Sequence, residues 1–183
     1  QRQMCIRDSI GAKPLGEGES FLQVLTADHE GGVDAGAFGV AHVLGSRFRP
    51  VEVDAGNGKL NGLVLQAGAV AEGVPFALDK GCDFLLLDAT HGIEQTWPEV
   101  DAGFRLDVLR DAIASLRELK KEEQIDVFFF GGRRAGTDAA KVIGIGGQVN
   151  VLGVSLALAM GGSIGANDTL DFTADYSDAE CYE

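Results

Sequence analysis

Two runs constrain this chain most: Asp83-Phe84-Leu85-Leu86-Leu87-Asp88 and Val127-Phe128-Phe129-Phe130. Each has strand length and is apolar at successive positions, with no alternation, as expected for parallel strands covered on both faces. Between them Arg105 to Lys121 carries Leu106, Leu109, Ile113 and Leu116 at helical spacing, with charges on the other side. Val149-Asn150-Val151-Leu152 predicts a further strand, after a helix capped by Thr137 and running to about Ile143. Upstream, Val51-Glu52-Val53 predicts a short strand, and Leu63 to Leu78 is apolar and alanine-rich enough for a buried helix stopped by Gly81. Strand alternating with helix predicts a parallel α/β sheet.

A complete (β/α)8 TIM barrel needs typically about 250 residues, and this chain has 183. The expectation is an incomplete C-terminal portion of a barrel, with about four to five βα units, the weakest in Phe21 to Val43. A small doubly wound domain is the alternative. Residues 1–9 have no apolar period and are expected to be a non-native leader, residues 10–173 the partial barrel, and residues 174–183 the start of a truncated tail.

Charge narrows the function. With 28 acidic against 15 basic residues, a net charge of -13, the chain repels phosphate backbones and anionic lipid surfaces, so neither nucleic acid nor membrane is an expected partner. No apolar run approaches the roughly 20 residues of a membrane span. Cys5, Cys82 and Cys181 are far apart and odd in number, which fits a reducing cytoplasm rather than a disulfide scaffold. Asp28-His29-Glu30 lacks a second spaced ligand group, so no metal is assigned.

Chemistry is expected where glycines end strands. Gly131-Gly132 after one strand and Gly153-Val154 after the next could turn backbone amides and a helix N-terminus onto a phosphate, since any Cβ would hold the anion away. Arg134 would add a bidentate contact. The plainer reading is a pair of tight turns with solvated arginines. His91 follows a strand by three residues, where a barrel carries catalytic groups, and an imidazole suits proton transfer to an imine. Its plainer reading is a loop histidine bonded to Glu94. Trp97 and Tyr176 read as packing residues.

The stretch F-G-G-R-R-A-G-T-D-A-A-K-V-I-G-I-G-G-Q-V-N-V-L-G-V-S, from Phe130 to Ser155, is similar to the s-G-G-i-R-x-G-x-D-x-A-K pattern of flavin-phosphate barrels. Ile10-Gly11-Ala12-Lys13-Pro14-Leu15-Gly16-Glu17-Gly18 resembles the G-A-K-P-G-x-G-G segment of the FMN-binding synthase domain of glutamate synthases, with Leu15 as one extra residue. IMP dehydrogenases share the first pattern but not the second. The resemblance implies an FMN-dependent TIM-barrel oxidoreductase of glutamate biosynthesis, making glutamate from 2-oxoglutarate and ammonia with an electron donor or glutaminase as partner. Gly131, Gly132, Arg134, Gly153 and Val154 would hold the FMN phosphate. Lys13, otherwise a solvated loop lysine, would stand as a cation near the flavin and the keto acid.

Three departures point to the alternative, a non-catalytic flavin- or phosphate-binding barrel that has lost glutamate synthase activity. Val51-Glu52-Val53 aligns with V-x-V-K-[LI], placing Glu52 or Asp54 where the family has a lysine beside the flavin, with Lys59 in the next loop as the remaining cation. Asp88 to Trp97 replaces a glycine-rich D-G-x-x-G-G-T-G-A loop. The cysteines of the family's iron–sulfur cluster are absent up to Glu183, so any cluster would need ligands outside this sequence.

Overall fold

A computed structural model of the chain describes residues 5–8, 21–26, 32–54, 58–93, 95, 97–132, 136–154, 158, 161–165 and 170–172. Seven strands form one sheet: β1 (Cys5–Asp8), β2 (Phe21–Leu25), β3 (Ala37–Val43), β4 (Leu60–Leu65), β5 (Phe84–Asp88), β6 (Asp126–Phe130) and β7 (Val149–Asn150). They lie side by side in sequence order, and every pair is parallel. The helices are α1 (Val70–Asp79), α2 (Pro98–Asp101), α3 (Asp107–Leu119) and α4 (Gly136–Ile145). A separate antiparallel pair, β8 (Gly162–Ile164) with β9 (Leu170–Phe172), follows.

Strand parity sorts the core into two faces. Leu63, Leu65, Leu85, Leu87, Val127 and Phe129 point one way and pack against Val70, Val74 and Ala77 of α1, Leu109, Ala112 and Leu116 of α3, and Val142 of α4. Val64, Phe84, Leu86, Phe128 and Phe130 point the other way and join Leu22, Val24 and Ala41 from β2 and β3. The second cluster contains no helical residue among the described residues. Its rings Phe84 and Phe128 stack, with centroids 4.8 Å apart and planes 17° apart. A doubly wound domain has helices on both faces and a reversal of strand order. Here the order is sequential and α1, α3 and α4 share one face, so the sheet is singly wound among the described residues and curls as part of a barrel does. Among the described residues it does not close, since β1 and β7 remain its edges.

Three expectations change. The helix expected over Leu63 to Leu78 begins only at Val70, because Leu60–Leu65 is β4, with a 3₁₀ turn at Ala67–Ala69 between them. A short apolar run reads equally well as a buried strand or a buried helix, and here ladder pairing with β3 and β5 decides it. Val51-Glu52-Val53 is not a strand. Its alternation arises because Val51 and Val53 pack onto the helix-side core while Glu52 is exposed, with no ladder partner. The weak stretch Phe21 to Val43 supplies two strands, and Cys5–Asp8, set aside as leader, pairs with Phe21–Val24 as the edge strand.

Candidate functional site

In a parallel sheet whose connections run back along one face, ligands gather at the C-terminal ends of the strands. Here β4 ends at Gln66, β5 runs into Asp88 and the loop to Ile93, β6 ends in Gly131-Gly132, and β7 leads to Gly153 and Val154. The structure therefore brings the ends holding His91, Gly131, Gly132, Gly153 and Val154 to one edge of the sheet. Lys13 and Arg134 lie outside the described residues, as do Glu94 and the Asp28-His29-Glu30 run. Among the described residues no cluster of His, Cys, Asp and Glu could hold a metal ion.

Asp88 organises the first loop. Its side chain is buried and accepts from Gln66 Nε2 at 3.0 Å, from the amides of Thr90 and Ile93 at 2.9 Å each, and from Thr90 Oγ1. The Thr90 hydroxyl in turn accepts from the Gly92 amide at 3.2 Å. With its oxygens engaged on both sides, this carboxylate is a brace for the loop rather than a group free to react. His91 stands on the same loop with its side chain exposed, and its carbonyl accepts from Gln95 Nε2 at 3.0 Å.

The glycines serve close approach, not turn geometry: none of Gly131, Gly132 and Gly153 has a positive φ. A Cβ added to Gly132 would stand 2.6 Å from the carbonyl carbon of Ala102, closer still to its oxygen, and 3.2 Å from the carbonyl oxygen of Glu99. One added to Gly153 would stand 2.7 Å from the carboxyl carbon of Glu99 and closer to Oε1. What approaches these glycines is the chain's own segment after β5. That segment enters α2 through Trp97, a non-glycine residue with φ 50, and Pro98 at the helix start. Glu99 is 4% exposed, and its Oε1 is buried with no hydrogen-bond partner. Val154 is 5% exposed, so its side chain belongs to the core.

An FMN phosphate needs amide donors and an open space over the glycines. The space over Gly132 and Gly153 holds two backbone carbonyls and a carboxylate, all acceptors, and a carboxylate repels a phosphate dianion. The described residues as arranged do not fit the cofactor's phosphate.

Two departures noted in the sequence also change meaning. Glu52 and Asp54 lie in the connection between β3 and β4, not at a strand end, so they do not stand where a flavin-side lysine would. The neighbouring strand end is Gln66. Lys59 precedes β4 and donates to the carbonyls of Asp34 at 2.9 Å, of Ala35 at 3.1 Å, and of Ala37. It clamps the opposite edge of the sheet and supplies no cation to the site.

Gln66, Asp88 as a brace, and Glu99 were not foreseen as site residues. Gln66 and Asp88 are adjacent only through the β4–β5 pairing, and Glu99 reaches Gly153 across 54 positions of sequence. The single local signal was Pro98, which marks a helix start and hence a turn of chain passing over the strand ends. No family model, curated protein or solved structure matches this chain.

Proposed function

We propose that this chain is part of a TIM-type barrel resembling the glutamate synthase domain, one that binds a small molecule at the C-terminal ends of β4 to β7 and has lost glutamate synthase activity. The observation that carries this reading is the Glu99 carboxylate against Gly153, in the space a flavin phosphate would need. The chain's own residues hold a loop rigid through Asp88, present the His91 imidazole at the ligand edge, and close the glycine seat with the backbone of α2. The test is turnover of 2-oxoglutarate and ammonia by the purified full chain, with FMN and a reduced donor supplied. No glutamate is expected, and measurable glutamate formation would remove the reading.

A second reading, an active FMN-dependent oxidoreductase of glutamate synthase type, is favoured by the exposed His91 beside two adjacent glycine-ended strands. It requires the α2 segment to leave the glycines when FMN arrives. FMN titration followed at the flavin absorption bands decides it: saturable binding supports this reading, and a protein that takes up no FMN ends it.

A further inference from the structure

We propose that Trp97 to Ala102 is a strap that opens as a unit while the sheet stays folded, uncovering the strand-end glycines Gly132 and Gly153. The inference rests on the reading that this edge of the sheet is the ligand face, but the opening itself needs no ligand.

The closed position is held at a cost. Trp97 enters α2 in the left-handed region at φ 50, which a bulky side chain disfavours. Its indole Nε1 is buried without a hydrogen-bond partner, and two positions on the same is true of Glu99 Oε1. A donor and an acceptor withdrawn from water without partners each lose the bonds that water supplies, and each regains them when the segment lifts. α2 has four residues and no side-chain cap, so its own helical bonds add little.

The packing that opposes this cost is slight. Ala102 alone among the segment's hydrophobic side chains is fully buried, whereas α3 buries Val108, Leu109, Ala112, Ile113 and Leu116. Gly103 follows with open space where a Cβ would go, and Phe104 is anchored edge-on to Phe129 with centroids 6.3 Å apart. A glycine between a lightly packed turn and an anchored ring is where the backbone rotates most freely. Closed, the carbonyls of Ala102 and Glu99 lie over Gly132 and the Glu99 carboxylate lies against Gly153. Lifted, the segment clears both strand ends at once. Elements that cover ligand edges are drawn from the least stable parts of a fold.

The experiment follows hydrogen exchange in the full chain by ¹H–¹⁵N spectroscopy, with urea increased below the unfolding transition. Trp97 is the chain's single tryptophan, so its indole N–H gives one resonance. That N–H is expected to be protected, yet about a hundredfold or more less protected than the amides of Leu85 to Leu87 in β5. Its exchange should scarcely respond to urea, because a local opening exposes little surface, while the β5 amides should accelerate as global unfolding does. In Glu99→Met an apolar chain of similar length replaces the unpartnered carboxylate, and opening should become about tenfold rarer. The wild-type rates decide the first point by themselves, so a variant that folds poorly leaves the test intact.

An indole N–H as protected as the β5 amides, accelerating with urea as they do, overturns the proposal, because the segment would then leave only when the sheet unfolds. So does an indole N–H with no protection, which would mean no closed state. Exchange in a folded Glu99→Met as fast as in wild type overturns it as well, since the buried carboxylate would not be what lifts the strap. Glutamate formation by a chain whose strap opens would refute the loss of synthase activity and leave the strap standing. A strap that never opens, in a chain that forms no glutamate, would do the reverse.

Discussion

Gly132→Ala tests the closed seat with a single methyl group. The added Cβ would lie 2.6 Å from the Ala102 carbonyl carbon and nearer to its oxygen, where real Cβ contacts essentially never fall below 3.0 Å. The obstacle is backbone, so it cannot rotate away as a side chain would. Overpacking typically costs about 1–3 kcal/mol, and a backbone obstacle places this substitution near the top of that range. For a chain of this size each kcal/mol moves Tm by about 2–4 °C. A fall of roughly 6–12 °C is therefore expected in a thermal melt followed by circular dichroism. Two neighbours calibrate it. In Gly131→Ala the new atom meets Ala89 Cβ at 3.1 Å and the Phe129 ring at 3.2 Å, contacts that a shift of a few tenths of an ångström relieves, so the cost should be about 1 kcal/mol. In Gly136→Ala it meets nothing within 4 Å. A Gly132→Ala protein melting within about 1 °C of Gly136→Ala would mean that residues 99–102 do not lie over Gly132, and the seat would be open to an anion after all.

Gly144 lies inside α4 with open space where a Cβ would go and without positive φ, so Gly144→Ala should raise stability by about 0.5–1 kcal/mol; a lower Tm would contradict the helix. Asp88→Asn replaces an acceptor of four bonds by a group that can accept on one side only. It should cost about 1–3 kcal/mol and speed amide exchange at Thr90 and Ile93, and unchanged exchange there would contradict the brace. Burial lowers the pKa of His42, against the opposing influence of Asn61 and Asp54. The unfolded chain then binds more protons near and below pH 6.5, so stability should fall as pH drops through that range. In His42→Leu the slope should flatten, and an unchanged slope would assign it to other groups.

The parts of the fold legible in the sequence are those where one local property decides. Phe84 to Leu87 and Val127 to Phe130 are continuous apolar runs of strand length, each preceded by Asp and followed by Asp or Gly, and α3 has an unbroken helical stripe. Leu60 to Leu65 was legible as buried but not as extended, because only the pairing with Ala37–Val43 and Phe84–Asp88 distinguishes the two. Gly62 shows that pairing in the sequence after the fact: its missing Cβ is the space that the Phe84 ring fills. In the site, the glycines announced a close approach and could not say by what. A ligand's phosphate and the chain's own Glu99 demand the same absence of a Cβ, and the demand is written at Gly153 while its cause lies on another loop.

The sequential order of the parallel strands has a consequence for how the molecule is made. Each of β2 to β7 pairs with the strand synthesised just before it, so as the chain leaves the ribosome every new strand meets a partner that already exists. No described strand of this sheet has to wait, with its apolar face bare, for a segment not yet translated to be inserted between it and its neighbour. Growth by addition at one end leaves two edges at any moment, β1 and the newest strand, and the newest is covered as soon as the next strand arrives, which limits the time in which two nascent copies can pair through it.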